Sequence, residues 1–164
     1  MEMRWLSLYV ENEVGVLAKI AGLFSGKCYN LHSLTVGETE DITVSRMTLC
    51  VEGDDNTFEQ IKKQLNCMVE VIKVIDLSGK SLHKKEVLYL KIKSLKDADK
   101  AEIMRIAQVF DVKVADYGKD SILLECLQTE LQNNNLIGLI TKTYRNVEIV
   151  RGGSVAIESI SMQI

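Results

Sequence analysis

Proline is absent from this chain, although an average composition would place about eight prolines in 164 residues. The absence excludes proline-rich linkers. Long hydrophobic runs are also missing, because none approaches the roughly 20 residues that a membrane span requires. No apolar signal-peptide core precedes Glu11. We therefore expect a soluble, unexported protein of the cytoplasm.

Metal-ligating residues are few and are badly spaced for a metal site. The chain has two histidines and four cysteines, and no two cysteines form a C-x-x-C pair. These spacings exclude zinc sites of the finger and ribbon types. The cysteines are Cys28, Cys50, Cys67 and Cys126. We expect them to be free, mostly buried thiols in a reducing compartment, and we expect no metal site.

Positive charge is scarce in the first half of the chain. Residues 1–76 contain 12 acidic and 7 basic side chains, a net charge of −5, whereas residues 77–164 carry +2. Nucleic-acid binding needs a basic face. RNA-recognition modules also stack bases on aromatic residues of their third strand, and none occurs between Ser45 and Glu52. The sequence therefore argues against a nucleic-acid partner.

Catalytic and cofactor motifs are missing as well. The chain contains no G-x-G-x-x-G, H-E-x-x-H or G-x-S-x-G. Gly22–Cys28 superficially resembles a phosphate-binding loop, but its glycines are too close and it lies within a predicted helix. His83 lies in a lysine-bearing linker, where a solvated side chain is typical. We expect no catalytic residue.

Residues 1–77 have periodicities that predict the order βαββαβ. Strands are predicted at 4–10, 31–37, 43–52 and 69–76. The apolar stripe of the first predicted helix consists of Leu17, Ile20, Ala21 and Phe24. Asp54 to Thr57 provides capping side chains for a second helix, whose stripe is Phe58, Ile61 and Leu65. Such an order packs two helices on one face of a four-stranded antiparallel sheet.

A similar order follows a polar linker at 78–85. Strands are predicted at 86–93, 112–117, 121–127 and 147–150, and Ile103, Ile106, Ala107 and Phe110 line the first helix. The second helix is less clear, because Asn133–Asn135 disfavours a helix between Leu131 and Ile140. The predicted class is α+β, with two tandem ferredoxin-like βαββαβ sandwiches at 1–77 and 86–164.

The turn from the first strand into the first helix carries residues suited to a small ligand. A helix start presents unpaired N–H groups that suit a carboxylate. Gly15 allows close approach to the backbone or a positive φ. Asn12 offers both a donor and an acceptor, and we expect Asn30 to lie near the same edge of the sheet. This turn is the candidate binding site.

Ordinary turn chemistry is an alternative explanation of the same residues. Asn12 would then be a helix cap or turn residue, Gly15 a turn glycine and Asn30 a helix C-cap. Trp5 and Tyr9 share one face of the first strand, where packing in a core or subunit interface explains them better than a ligand cage does.

The segment Glu11–Ala18 (ENEVGVLA) resembles the opening of an ACT domain, an amino-acid-sensing module. A longer stretch, Glu11–Leu77, resembles the regulatory small subunit of acetolactate synthase. Further similarity in the second half is sparse and includes Lys91–Lys93, Asp116, Asp120–Ser121 and Glu148–Arg151. The chain is thus identified, by resemblance, as a member of that small-subunit family.

The resemblance implies a subunit without catalytic activity. Such a subunit binds the catalytic (large) subunit, raises its activity and confers feedback inhibition by a branched-chain amino acid, usually valine. The cofactors implied, thiamine diphosphate, Mg and FAD, belong to the catalytic subunit, and none is expected in this chain. Homodimerisation through the ACT domains is also implied.

The resemblance places the effector between the ACT domains of two chains. The implied binding residues are Asn12, Gly15, Val16, Leu17, Asn30 and Leu31. The helix-start amides would take the carboxylate and the asparagines the polar groups. Val16, Leu17 and Leu31 would contact the isopropyl side chain.

Two other functions remain open from the sequence. The chain is alternatively a non-catalytic ACT-domain sensor that binds a different amino acid and serves another enzyme or regulator. It is also conceivable as a small ferredoxin-like enzyme, although no catalytic constellation supports that hypothesis.

Overall fold

Two units, each built on a four-stranded antiparallel sheet, make up the computed structural model, which describes residues 2–160. The order βαββαβ occurs twice, which confirms the predicted α+β class. The first unit consists of the described residues up to His83 together with those from Val155 onward, and the second is Lys84–Ser154. No helix within residues 2–160 is long and apolar enough to cross a membrane.

The first unit has the strand order β2-β3-β1-β4, so β2 and β4 are its edges. β3 is antiparallel to both β1 and β2, which makes those two strands run in the same direction. The elements are β1 (Glu2–Glu11), α1 (Val16–Gly26), β2 (Asn30–Glu38), β3 (Val44–Gly53), α2 (Asp55–Asn66) and β4 (Val71–Asp76).

Alternating apolar residues on one face of this sheet form the core with the two helices. Met47, Leu49 and Val51 of β3 are buried, as their alternation predicts. The predicted stripe of α2 is confirmed, since Phe58, Ile61 and Leu65 are all buried in the same core. The Asp54 side chain caps α2 by accepting a hydrogen bond from the Thr57 amide at 2.8 Å.

The predicted stripe of α1 is partly wrong. The buried residues of α1 are Val16, Ile20 and Phe24, whereas Leu17 and Ala21 are exposed. One residue corresponds to about 100° around a helix, so a shift of one position changes which side chains face the core. Apolar spacing alone fitted both sets, and packing against the sheet selects the one containing Val16.

The second unit repeats the arrangement with the strand order β6-β7-β5-β8. Its core contains Leu88, Leu90 and Ile92 from the central strand β5, packed against both helices. The elements are β5 (Leu82–Ile92), α3 (Asp97–Val109), β6 (Lys113–Tyr117), β7 (Ile122–Gln128), α4 (Glu130–Thr143) and β8 (Val147–Glu158).

Helix α4 includes the three asparagines that disfavour a helix in the sequence. Asn133 is fully buried, and its Nδ2 donates to Glu86 Oε2 at 3.0 Å. Arg151 donates to both Glu86 oxygens at 2.8 Å, so a buried carboxylate is paired and the asparagine has a partner. Thr129 and Gln132 form a capping box at the start of the helix. These contacts outweigh the low local propensity.

The ends of the second half differ from the sequence-based boundaries. β5 begins at Leu82, inside the segment 78–85 that was expected to be a linker. β8 is 12 residues long instead of four, because its second half continues past Val150. Residues 155–160, here named the C-terminal arm, group with the first unit rather than with Lys84–Ser154. Ala156 of the arm packs with Trp5, Cys50 and Leu77.

Candidate functional site

Helix α1 begins at a glycine and has no side-chain cap. Gly15 is its N-cap residue, with no side-chain hydrogen bond to the first turn and no acidic residue within that turn. Helices α2 and α4, in contrast, are capped by Asp54 and Thr129. The first N–H groups of a helix lack intrahelical partners and carry the positive end of its dipole. The start of α1 is therefore suited to a carboxylate.

Gly15 has a left-handed backbone conformation, with φ of 91°. A Cβ built on it would meet no atom within 4 Å, so the space above the turn is open. Gly15 therefore has both of the expected features, a positive φ and open space beside the backbone. Glycine adopts this conformation without the steric cost that other residues carry.

Asn12 holds the loop between β2 and β3. Its Nδ2 donates to the Ile42 carbonyl oxygen at 2.8 Å and to Glu38 Oε1 at 3.3 Å. Its Oδ1 accepts from Ser45 Oγ at 2.9 Å, and its backbone N–H donates to the Thr43 carbonyl oxygen at 2.7 Å. Asn12 is not the cap of α1. Its amide already has protein partners, so it shapes the rim of the site.

The three apolar candidate residues are placed differently from one another. Val16 is 4% exposed and its side chain faces the first core rather than the turn, while its N–H donates to the Glu13 carbonyl oxygen at 3.4 Å. Leu17, the next residue along α1, is 44% exposed. Leu31 is half-buried and packs against the core. An apolar ligand at the start of α1 would meet Leu17.

Asn30 lies at the opposite end of the sheet from Asn12, which corrects the expectation of a shared edge. Glu11, the neighbour of Asn12, pairs with Val44, whereas Asn30 pairs with Glu52. Those partners are eight residues apart on β3, or roughly 26 Å along the strand. The reason is that β1 and β2 run in the same direction, so the last residue of β1 and the first residue of β2 are at opposite ends of the sheet. Asn30 is the first residue of β2 and not a helix C-cap; its Nδ2 donates to Glu52 Oε2 at 2.8 Å.

Carboxylates surround the start of α1 and give it a local negative charge. The Lys19 ammonium group pairs with Glu70, and the hydrogen bond that it donates to Glu70 raises the pKa of Lys19, with smaller contributions from the charges of Glu11 and Glu13. Glu38 joins them through its contact with Asn12. Helix-start amides beside acidic side chains suit a ligand that carries a carboxylate and an ammonium group together.

Sequence patterns did not identify the residues that hold the loop between β2 and β3 against Asn12. Asp41 accepts hydrogen bonds from the Thr43 backbone N–H at 2.9 Å and hydroxyl at 2.7 Å, which fixes the loop against Asn12. These hydrogen bonds from Thr43 hold the pKa of Asp41 below its ordinary value. Ser45 bonds Asn12 from 33 residues away, and no motif or local spacing indicates that contact.

The described residues at this turn offer hydrogen-bond donors and acceptors to a ligand. Within 2–160, no group of three histidine, cysteine, aspartate or glutamate side chains is placed to hold a metal ion. His32 and His83, the histidines of the chain, lie in β2 and β5 and outside the turn. The arrangement consists of backbone donors, amides and an exposed leucine.

Two family models match the chain, one for each half. Residues 6–73 match the ACT domain of the AHAS small-subunit type, where AHAS stands for acetohydroxyacid synthase, another name for acetolactate synthase. Residues 85–160 match the small subunit of acetolactate synthase. Together the matches extend over both units of the fold.

Individual relatives agree with the family models. A probable acetolactate synthase small subunit of Archaeoglobus fulgidus is 37% identical, with 92% of this chain and 93% of the relative covered. The small subunit of acetolactate synthase isozyme 3 of Escherichia coli is 33% identical, with 94% of each covered. The crystal structure of the small subunit from Thermotoga maritima superposes with a TM-score of 0.87 and 33% identity, covering 97% of this chain and 98% of that one.

Proposed function

The chain belongs to the acetolactate synthase small-subunit family, and from that premise we propose that it activates the catalytic subunit and confers feedback inhibition by valine. The chain itself carries no catalytic residue in this proposal. Thiamine diphosphate, Mg and FAD are assigned to the catalytic subunit. The role of this chain is to bind the effector and to alter the state of its partner.

A two-chain effector site follows from the positions of Asn12 and Asn30. One copy cannot bring them together, because they lie at opposite ends of the sheet. β2 is an edge strand, so a second copy can pair with it. Antiparallel pairing of two β2 strands places Asn30 of the partner subunit beside Glu38, which contacts Asn12. This separation is the observation that carries the proposed homodimer.

The chemistry of the turn matches a branched-chain amino acid. The uncapped amides above Gly15 bind the effector carboxylate, since they need an acceptor. Acidic neighbours such as Glu38 favour the ammonium group. Leu17 from α1 contacts the isopropyl group, and so does Leu31 of the partner subunit, which lies in the β2 strand that the partner contributes. Val16 contributes its backbone only.

Inhibition requires that the effector bind one arrangement of the complex better than the other. The coupling between two such sites is typically about 1–3 kcal/mol. An effector bound at the junction of two chains contacts both of them, so its affinity depends directly on how the chains pair. That dependence is the proposed origin of the feedback.

Reconstitution with an acetolactate synthase catalytic subunit tests the function. We expect the chain to raise the rate of acetolactate formation, and valine to reduce the raised rate. A thermal-shift screen of the isolated chain against the twenty amino acids should show stabilisation by valine and its branched relatives. A ligand at 100 times its Kd adds about 2.7 kcal/mol.

Three results would contradict parts of the proposal. Stabilisation by an unrelated amino acid, without activation of the catalytic subunit, would favour a sensor that serves another enzyme. Activation without any effect of branched-chain amino acids would contradict the feedback role. Product formation by the isolated chain would show that it is an enzyme.

A further inference from the structure

The C-terminal arm covers part of the sheet face opposite the two helices of the first unit. Ala156 is 5% exposed and packs with Trp5, Cys50 and Leu77. The Ser159 N–H donates to the Ser81 carbonyl oxygen at 2.9 Å, and Lys80 pairs with Glu158 at 2.6 Å. The arm thus has specific partners in the unit that contains the candidate effector site.

Arg46 fastens the arm to this face. Its Nη2 donates to the Ala156 carbonyl oxygen at 3.0 Å, and its Nε donates to Ser7 Oγ at 2.8 Å. The guanidinium carbon lies 5.6 Å from the centre of the Tyr9 ring. Ser7 is fully buried, so one planar group joins an interior position of β1 to the backbone of the arm. Lysine cannot make both hydrogen bonds in this geometry.

The neighbour of Arg46 contacts the rim of the effector site. Ser45 donates to Asn12 Oδ1, and successive residues of a strand point to opposite faces of the sheet. Ser45 shares the core-facing side with Met47, whereas Arg46 points to the face that the arm covers. Two adjacent residues of β3 therefore touch the effector site and the arm.

The arm is the end of β8, the strand that neighbours β5 in the second sheet. We propose that Arg46 is a positioning residue for feedback. It holds the arm against the part of β3 that contacts Asn12, so that effector binding changes how the end of β8 is held on this sheet face. The inference rests on the proposed function. It adds a residue and a segment that lie outside the effector site.

Arg46→Met tests the inference in the full chain combined with its catalytic subunit. Methionine retains much of the side-chain volume and removes both hydrogen bonds. We expect valine to bind the isolated variant with a Kd within about twofold of the parent. We expect the valine concentration for half-maximal inhibition of the complex to rise at least fivefold, near the lower end of typical coupling factors of about 5–150-fold.

Two further variants and one exchange measurement complete the test. Arg46→Lys keeps the charge and one hydrogen bond, and we expect an intermediate loss of inhibition; it also serves if Arg46→Met does not fold. Arg105→Met is the matched control, since Arg105 is an exposed side chain of α3 and pairs with Glu102, three residues before it. Hydrogen exchange of residues 155–160 should be faster in Arg46→Met, and valine should slow it in the parent alone.

The outcomes separate this inference from the function on which it rests. If the parent complex shows no valine inhibition, the proposed feedback fails, and this inference fails with it. If the parent is inhibited and a folded Arg46→Met or Arg46→Lys complex shows the same inhibition curve, only the role of Arg46 is overturned. Equal loss of valine binding and inhibition would show that Arg46 merely supports the effector site, which also overturns it.

Discussion

Asn12 and Asn30 lie at opposite ends of one four-stranded sheet, although the effector site that we propose uses both. Their partners on β3 are eight residues apart, or roughly 26 Å. A site that needs both residues must therefore be completed by a second copy of the chain, and each homodimer then contains two equivalent sites.

Mixing two defective variants tests this arrangement. Asn12→Ala and Asn30→Ala should each abolish valine binding as homodimers, because every site lacks one asparagine. In a mixed dimer, one site lacks both asparagines and the other is intact. Refolding the variants together in equal amounts should restore about one quarter of the parent binding capacity. Calorimetric titration with valine measures it, and a mixture that restores nothing contradicts the two-chain site.

Gly15→Asp should abolish valine inhibition. The new carboxylate would occupy the open space above the turn and would repel the carboxylate of the effector. The positive φ of Gly15 adds a backbone cost of about 1–2 kcal/mol for a residue with a Cβ. Rates with increasing valine give the result.

Gly15→Asn is the matched control for charge. Asparagine has nearly the same shape as aspartate, tolerates the left-handed conformation and is neutral. We expect it to weaken inhibition less than Gly15→Asp does. Equal effects of the two substitutions would mean that steric filling, and not charge repulsion, governs the site.

Acidification should loosen the loop between β2 and β3. Hydrogen bonds from Thr43 lower the pKa of Asp41 in the folded protein. A carboxyl group with a lowered folded-state pKa stabilises above its unfolded pKa, about 3.9, and that contribution is lost as the pH falls through the folded value. The protection factor of the Thr43 amide, which is corrected for the intrinsic effect of pH on exchange, should therefore fall below pH of about 4.

Asp41→Ala reproduces that loosening at neutral pH. The variant removes the acceptor for both Thr43 donors, so the protection factor of the Thr43 amide, which is its exchange rate corrected for the intrinsic effect of pH, should be low and should stay constant between pH 6 and pH 3, measured by amide exchange with NMR detection. A normal, pH-dependent protection in the variant would show that Asp41 does not hold the loop.

Breaking the buried ion pair of the second unit should be strongly destabilising. Glu86 is 3% exposed and accepts from Arg151 and Asn133. Glu86→Leu leaves the arginine without its carboxylate partner, although the hydrogen bond to Asn134 remains. We expect a loss of about 2–4 kcal/mol, below the 3–5 kcal/mol typical of fully buried pairs because Arg151 is 35% exposed. Urea denaturation measures the loss.

The double variant Glu86→Leu with Arg151→Met should recover much of that stability. Removing both charges leaves no unpaired buried charge, and apolar replacements of buried ion pairs are often close to neutral. If the double variant is as unstable as the sum of the two single variants, the pair does not interact in the way that the geometry indicates.

Local spacing in the sequence was sufficient for most of the fold. The stripe Phe58, Ile61 and Leu65 and the alternation of β3 predicted the elements that the structure contains. The turn at Gly15 was also recognisable, because a helix start and a glycine with positive φ are local features. Such patterns depend on a few neighbouring residues, and these are visible in one dimension.

The tertiary structure decided what depends on distant partners. Asn133 lies in a helix where Glu86, 47 positions away, accepts a hydrogen bond from its Nδ2, and β8 extends because its arm packs on the sheet that contains Trp5. Packing selected Val16 over Leu17 as the buried residue of α1. The separation of Asn12 from Asn30 arises from the strand order β2-β3-β1-β4. Burial and strand pairing join residues far apart in the chain, and no local spacing encodes which of them meet.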